Sequence, residues 1–90
     1  MSAALSANLG PGVSSNEVTV VPNQIFSVQT TLPVNVEALL RQTTPDQWVY
    51  VGRVGGSVRA SGASPFIATS DRIRVTNPAS VGTASVEVYT

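Results

Sequence analysis

The chain has 90 residues, with five arginines balancing five acidic residues and with no lysine, histidine or cysteine. These absences exclude disulfides and thiolate metal sites, and they remove the most common general base and metal ligand. Charged residues make up only 11% of the chain, against about 25% in ordinary soluble domains. We therefore expect one small domain whose surface is partly covered by other subunits, because a thin core without disulfides favours oligomerisation.

The balanced charge also limits the partners. The formal net charge is zero, and no basic stripe indicates binding to nucleic acid. No apolar run approaches the roughly 18 residues of a membrane-spanning helix. We therefore expect neither nucleic acid nor a membrane as a partner.

Residues 1–16 are predicted to lie outside the folded domain. They are mainly Ala, Ser, Gly and Asn, and Gly10-Pro11-Gly12 would interrupt any regular element. Two interpretations remain open, a flexible tail or an arm that a neighbouring subunit orders through Leu5, Leu9 and Val13. The segment lacks the positive and continuous apolar regions of a secretory signal, so we expect the protein in the cytoplasm that makes it or in a particle assembled there.

Residues 17–90 are predicted to form an all-β domain. Prolines or glycine pairs interrupt the chain about every 10 to 13 residues, and the intervening segments are rich in valine and threonine with apolar and polar residues alternating. The predicted strands are 17–21, 24–30, 34–40, 46–52, 56–61, 71–77 and 83–90, with an eighth if 65–69 pairs. The predicted inward residues are Val18, Val20, Phe26, Val28, Val34, Val36, Ala38, Leu40, Val58, Ala60, Ile73, Val75, Val86 and Val88. This pattern predicts a two-sheet antiparallel β-sandwich, jelly-roll-like, with about seven or eight strands.

The segment DQWVYVG is apolar on both faces. Alternation places Trp48 and Tyr50 on one face and Val49 and Val51 on the other. Because a two-layer sandwich has one interior, one of these faces must meet something else. The valines match the inward residues of the other strands, so we predict that they belong to the core. Trp48 and Tyr50, with Arg53 beside them, have the composition of an interface hot spot and are predicted to bind a partner.

The sequence gives little support for catalysis or a cofactor. The five acidic residues lie in separate segments, and GRVGGS lacks the Gly-Lys-Ser/Thr ending and the following helix of a phosphate-binding loop. We therefore predict no catalytic residue, no metal site and no cofactor. An exposed Trp48 and Tyr50 would also suit stacking on a sugar ring, so a glycan- or receptor-binding β-sandwich module, as on a tail or head fibre, is the alternative function.

Two passages carry a resemblance to a known group of proteins. The closing PFIATSDRIRVTNPASVGTASVEVYT and the earlier QWVYVGRVGG resemble the end and the central strand of small β-sandwich structural proteins of tailed bacteriophages, and the likeness covers residues 17–90. The resemblance implies a head decoration or cement protein, a head fibre or a tail-associated subunit, without catalytic residues. It also implies a homo-oligomer, commonly a trimer, that binds the major capsid protein or another virion protein. The expected location is the virion, assembled in the host cytoplasm.

Overall fold

The computed structural model of the chain describes residues 3–40, 47–55 and 61–90. These residues form eight β-strands: β1 (Leu5–Leu9), β2 (Val18–Thr19), β3 (Ile25–Thr30), β4 (Val34–Leu40), β5 (Gln47–Val54), β6 (Gly62–Ile67), β7 (Arg72–Thr76) and β8 (Ala84–Tyr89). Within these ranges, no helix is long and apolar enough to cross a membrane.

The strands pair as one long hairpin rolled onto itself. β1 pairs with β8, β2 with β7, β3 with β6 and β4 with β5, all of them antiparallel. Further pairing of β3 with β8 and of β4 with β7 joins them into two sheets. Sheet A has the order β1-β8-β3-β6, and sheet B has the order β2-β7-β4-β5. This nested order is that of a jelly roll, and it confirms the predicted two-sheet antiparallel sandwich.

The core lies between the two sheets and follows the predicted alternation. Every second side chain of β3, β4, β7 and β8 points inward, because successive residues of a strand face opposite sides. The buried cluster is Leu9, Val18, Val20, Phe26, Val28, Val34, Val36, Val54, Ala68, Ile73, Val75, Ala84, Val86 and Val88. Valine dominates this cluster, so the branched side chains that favour extended backbone also fill the interior.

Most predicted strands are present, with some changes in length. β3, β4, β7 and β8 match their predicted ranges to within one residue at each end, and the optional strand at 65–69 is real but runs over Gly62–Ile67. The strand predicted at 17–21 shortens to Val18–Thr19. A further strand is predicted at 56–61, with Val58 and Ala60 inward. Residues 56–60 lie outside the described residues, so that strand stays a prediction.

The prediction of a separate arm at residues 1–16 is wrong. Leu5–Leu9 forms the edge strand of sheet A, with Leu5 opposite Val88 on β8. Leu9 is buried in the core and Leu5 packs against it, whereas Val13 is half-exposed. The physical reason is the alternation within LSANL, which places both leucines and the central alanine on the inner face.

The chain then crosses from sheet A to sheet B at Gly10-Pro11-Gly12. Gly12 has a φ of 72°, in the left-handed region that glycine adopts without strain. Its N–H donates to the Asn77 carbonyl at 2.9 Å, and the Ser15 N–H donates to Val75 at 2.7 Å, so this segment continues along β7 toward β2. The proline–glycine turn that suggested a break in structure is the corner of the sandwich.

Asn77 secures this corner from inside the protein. The residue is fully buried, and its side-chain amide donates to the carbonyls of Leu9 and Gly82 while its side-chain oxygen accepts from the Ala79 N–H. Each of these groups would otherwise be an unpaired polar group in or near the core. The hydrogen bonds of Asn77 therefore join β1 to the loop between β7 and β8.

Candidate functional site: β5 and the outer face of sheet B

A β-bulge in β5 determines which side chains share a face. Gly52 lies opposite Val36 and Tyr50 lies opposite Glu37, so Val51 is an extra residue with no partner on β4. The extra residue reverses the alternation along the strand. Gly52 and Val54 face the core on one side of the bulge, and Val49 faces the same way on the other side, opposite the buried Ala38.

The bulge brings the predicted partner-binding residues of this strand together. Trp48, Tyr50 and Arg53 all lie on the outer face of sheet B, although strict alternation would place Arg53 opposite to the other two. Tyr50 is 59% exposed, whereas Trp48 is half-buried. The structure therefore shows that the three side chains share a surface, and their role in binding a partner stays a prediction.

The assignment of Val49 and Val51 to the core is wrong. Val49 is 47% exposed and Val51 is 37% exposed. The inner face of β5 is covered by sheet A where the Phe66 ring lies against Gly52, but it is open beyond the bulge. The two valines there line a groove of about 420 Å³, whose other wall is Thr69-Ser70 in the loop between β6 and β7.

The ring of Trp48 has a defined neighbour on the outer face. The guanidinium carbon of Arg74 lies 4.5 Å from the centre of the ring, which is a cation–π contact. Arg74 Nε also donates to Glu37 Oε1 at 2.9 Å, and Thr76 Oγ1 donates to the same carboxylate oxygen at 2.6 Å. Leu39, the cross-strand partner of Trp48, is buried although it lies outside the main core cluster.

Glu37 is the ionised centre of this network. Burial alone would raise the pKa of its carboxyl group, but the hydrogen bonds from Thr76 and Arg74 and the positive charge of Arg74 together outweigh that effect. The pKa of Glu37 therefore lies below its ordinary value of 4.5. The ionised carboxylate binds Arg74 and Thr76 on β7, and this ion pair holds the Arg74 guanidinium over the ring of Trp48.

Arg53 lies at the other end of the same face. It is exposed and lines a groove of about 620 Å³ together with Pro33, Asn35 and the loop 78–81. Among the described residues, no carboxylate lines this groove or the groove beside Val49. The described residues also contain no group of three or more acidic residues that could hold a metal ion.

The other predicted partner-binding residues lie elsewhere. Leu5 and Leu9 belong to β1, and Leu9 is buried against its own sandwich, so it is not available to a neighbouring subunit. Val13, which is 46% exposed, is the one of the three that presents much apolar surface.

The sequence reasoning also missed an exposed pair on sheet A. Ile25 and Ile67 are cross-strand partners, each 63% exposed. The available signal was the alternation itself, because Ile25 precedes the inward Phe26 and Ile67 follows Phe66, whose ring stacks on Phe26.

Comparisons of the chain with protein-family models, with curated proteins and with solved structures found no match. The classification therefore stands on the topology of the chain itself, a small jelly-roll sandwich.

Proposed function

We propose that the chain is a non-enzymatic structural protein that works through its surfaces. More particularly, it is a bacteriophage capsid decoration protein that binds and stabilises the head as a homo-oligomer. Jelly rolls occur in viral capsid proteins, lectins and cupins, so the fold alone does not decide among these roles. The proposal depends on the surface that the fold presents.

The observation that carries the proposal is the composition of the outer face of sheet A. Among its described outward residues, Glu87 is the only charged one. The others are Ser6, Asn8, Ile25, Ser27, Gln29, Ala63, Pro65, Ile67, Ser85 and Tyr89. Such a face can be removed from water with little cost in desolvated charge, and this is a property of surfaces that are buried between subunits.

The exposed isoleucines give this face an apolar anchor. Ile25 and Ile67 lie side by side on β3 and β6, next to the exposed Pro65. Contiguous apolar surface on a soluble protein marks an interaction site, whereas single exposed residues do not. Contact through this patch would add the binding free energy of each subunit to that of the shell, and several subunits joined together would bind far more tightly than one.

Electron microscopy of the native particle would test the proposal directly. We expect the protein to co-purify with virions and to appear as an ordered jelly-roll density on the head. Absence of the chain from purified virions, measured by mass spectrometry, would overturn the proposal.

A matched pair of variants locates the binding surface. Ile25→Glu should abolish binding to heads that lack the protein, because it places a charge in the patch, and its circular dichroism spectrum should be unchanged. Val21→Glu is the control, since Val21 is equally exposed at 63% but lies in the turn before β3. Equal binding of both variants would show that sheet A is not the attachment face.

Glycan recognition is the second candidate, and the exposed ring of Tyr50 is the observation that favours it. Arg74 already covers one face of the neighbouring Trp48, so Tyr50 is the ring available for stacking on a sugar. A glycan array on the wild-type protein and on Tyr50→Ala separates the two functions. Specific binding that is lost in the variant would favour recognition, and a blank array would leave the decoration role.

A further inference from the structure

We infer that β5 is a self-association edge, through which two copies of this chain pair antiparallel and join their B sheets into one eight-stranded sheet. The inference rests on the self-association in the proposed function and names the surface that performs it. It does not require a virus particle, so it is tested on the purified protein alone.

The first support is the open edge of β5. The strand is eight residues long and lies at the end of sheet B, where no described strand pairs with its outer side. An edge strand carries backbone N–H and C=O groups that another strand can bind. Proteins protect such edges with lysine, proline or short strands.

Among the described strands, β5 is the least protected of the four sheet edges. It contains neither lysine nor proline, and Arg53 is its only charge. By contrast, β2 is only two residues long and β6 carries Pro65, while β1 is short and has no aromatic residue. Three consecutive residues of β5, Val49, Tyr50 and Val51, are exposed large hydrophobics.

The second support is the register that the bulge permits. When two copies of a regular strand pair about a two-fold axis, residues directly opposite each other must lie on the same face. Because the bulge reverses the alternation at Val51, the two halves of β5 satisfy this rule when Trp48 lies opposite Arg53 of the second copy. Val49 then lies opposite Gly52, while Tyr50 and the bulged Val51, which has no partner on β4, lie at the two-fold axis between the two regular halves. Shifting this register by one position would place Trp48, which points outward, opposite the inward Gly52.

The third support is the chemistry of the opposed pairs. Arg53 makes no ion pair within the described residues, and the pairing places its guanidinium beside the indole of Trp48 on the same outer face. An arginine opposite a tryptophan provides a further cation–π contact, and it occurs twice because the axis is two-fold. The exposed apolar residues 49–51 of each copy lie at the centre of the joined strands.

Light scattering after size exclusion, over a range of protein concentrations, is the primary test. The wild-type protein should approach twice its 9.3 kDa mass as the concentration rises. Val51→Lys places a charge at the centre of the pairing and should remain monomeric, with an unchanged circular dichroism spectrum. Val21→Lys makes the same substitution at an exposed site far from β5 in sequence and should behave like the wild type. A monomeric wild type, or equal association of Val51→Lys, would overturn the inference.

A distance measurement tests the register independently. Since the chain has no cysteine, Gln47→Cys allows one spin label per copy. Gln47 lies opposite Val54 in the inferred register, so the two labelled backbone sites should be about 24 Å apart, seven residues along the strand. A separation that does not fit this register would overturn it. If association occurs as inferred but the protein is absent from virions, the self-association edge stands and the decoration role fails.

Discussion

At the scale of single residues, Glu37 links the side chains of two β7 residues on the outer face of sheet B. Its carboxylate accepts hydrogen bonds from Arg74 and Thr76, and Arg74 in turn lies over Trp48. Thr76 also shares a hydrogen bond with Ser14 in the segment before β2, so the network reaches across the sheet. Because these side chains are partly buried, their interactions stabilise the fold more than a fully exposed ion pair would.

Glu37→Gln should lower the free energy of unfolding at neutral pH by about 1 to 2 kcal/mol, because it leaves the Arg74 charge without its partner. The pH dependence follows from the lowered pKa. The stabilisation is fully present above the ordinary pKa of 4.5 and is lost as the pH falls through the lower pKa of the folded state. Urea unfolding between neutral and acidic pH measures both effects, and the variant should lose less stability on acidification than the wild type.

Glu87→Gln is the control for this prediction. Glu87 accepts a hydrogen bond from Tyr89 on the exposed outer face of sheet A, so its replacement should leave stability unchanged. An equal loss of stability in both variants would mean that the Glu37 network has no special role.

At the scale of secondary-structure elements, the contact of β5 with β6 depends on two glycines. A Cβ added to Gly52 would lie 2.7 Å from the Phe66 ring, and one added to Gly62 would lie 2.8 Å from the backbone nitrogen of Gly55. The sheets therefore approach each other closely here, and the edge of β5 is held over the edge of β6. These contacts fix the position of β5 at its Gly52–Gly55 end, so a partner that binds β5 would contact a rigid strand there.

Gly52→Ala and Gly62→Ala should both destabilise the protein, by different amounts. The Phe66 ring can move slightly, so Gly52→Ala should cost about 1 to 2 kcal/mol. The backbone of Gly55 cannot move without disturbing β5, so Gly62→Ala should cost more. Chemical denaturation of both variants, and of Gly52→Ala combined with Phe66→Leu, measures this. The smaller side chain should recover part of the loss at Gly52, and no recovery would contradict the steric explanation.

The sequence predicted the valine-rich strands well, because their alternation is simple and their residues favour extended backbone. It missed β1 because Ala, Ser and Asn have low strand propensity, and this composition hides the apolar alternation of Leu5–Leu9. It failed at Val49 because this residue does face inward, opposite the buried Ala38, but the inner face of β5 is open there and leaves it 47% exposed. It also could not foresee the bulge, which no residue in β5 marks beforehand. The grouping of Trp48 with Arg53 depends on that same bulge.

Removing residues 1–9 should destabilise the sandwich by about 3 kcal/mol or more, because the deletion removes the buried Leu9 and exposes the edge of β8. The separate-arm hypothesis expected a folded domain after such a deletion. Thermal unfolding of the truncated protein decides between them, and a melting temperature equal to that of the full chain would contradict the structure.

At the scale of the whole molecule, the fold joins segments that are far apart in sequence. The outermost pair of the rolled hairpin places Leu5 opposite Val88, and the Ala4 N–H donates to the Val88 carbonyl at 2.7 Å. Such pairing must wait for a long loop to close, so folding should take milliseconds to seconds, as in other small all-β domains. Because β1 pairs with β8, the two ends of the described chain lie next to each other.

A circular permutant should keep the fold. Joining residue 90 to residue 3 by a short linker, and opening the chain in the exposed turn at Pro22-Asn23, turns the pairing of β1 with β8 into a local hairpin. Stability should stay within about 1 kcal/mol of the wild type, and folding should be faster. Circular dichroism and stopped-flow refolding measure both. A slower permutant would show that this pair does not limit folding.

Trp48 also provides an intrinsic fluorescence probe of the β5 edge. Trp48 is the chain's only tryptophan, so selective excitation reports a single place, the half-buried ring beside Arg74 on β5. Protonation of Glu37, unfolding of sheet B and approach of a second strand would each change the surroundings of that ring. Emission can therefore follow events at this edge in unlabelled protein, whether in dilute solution or within an assembled particle.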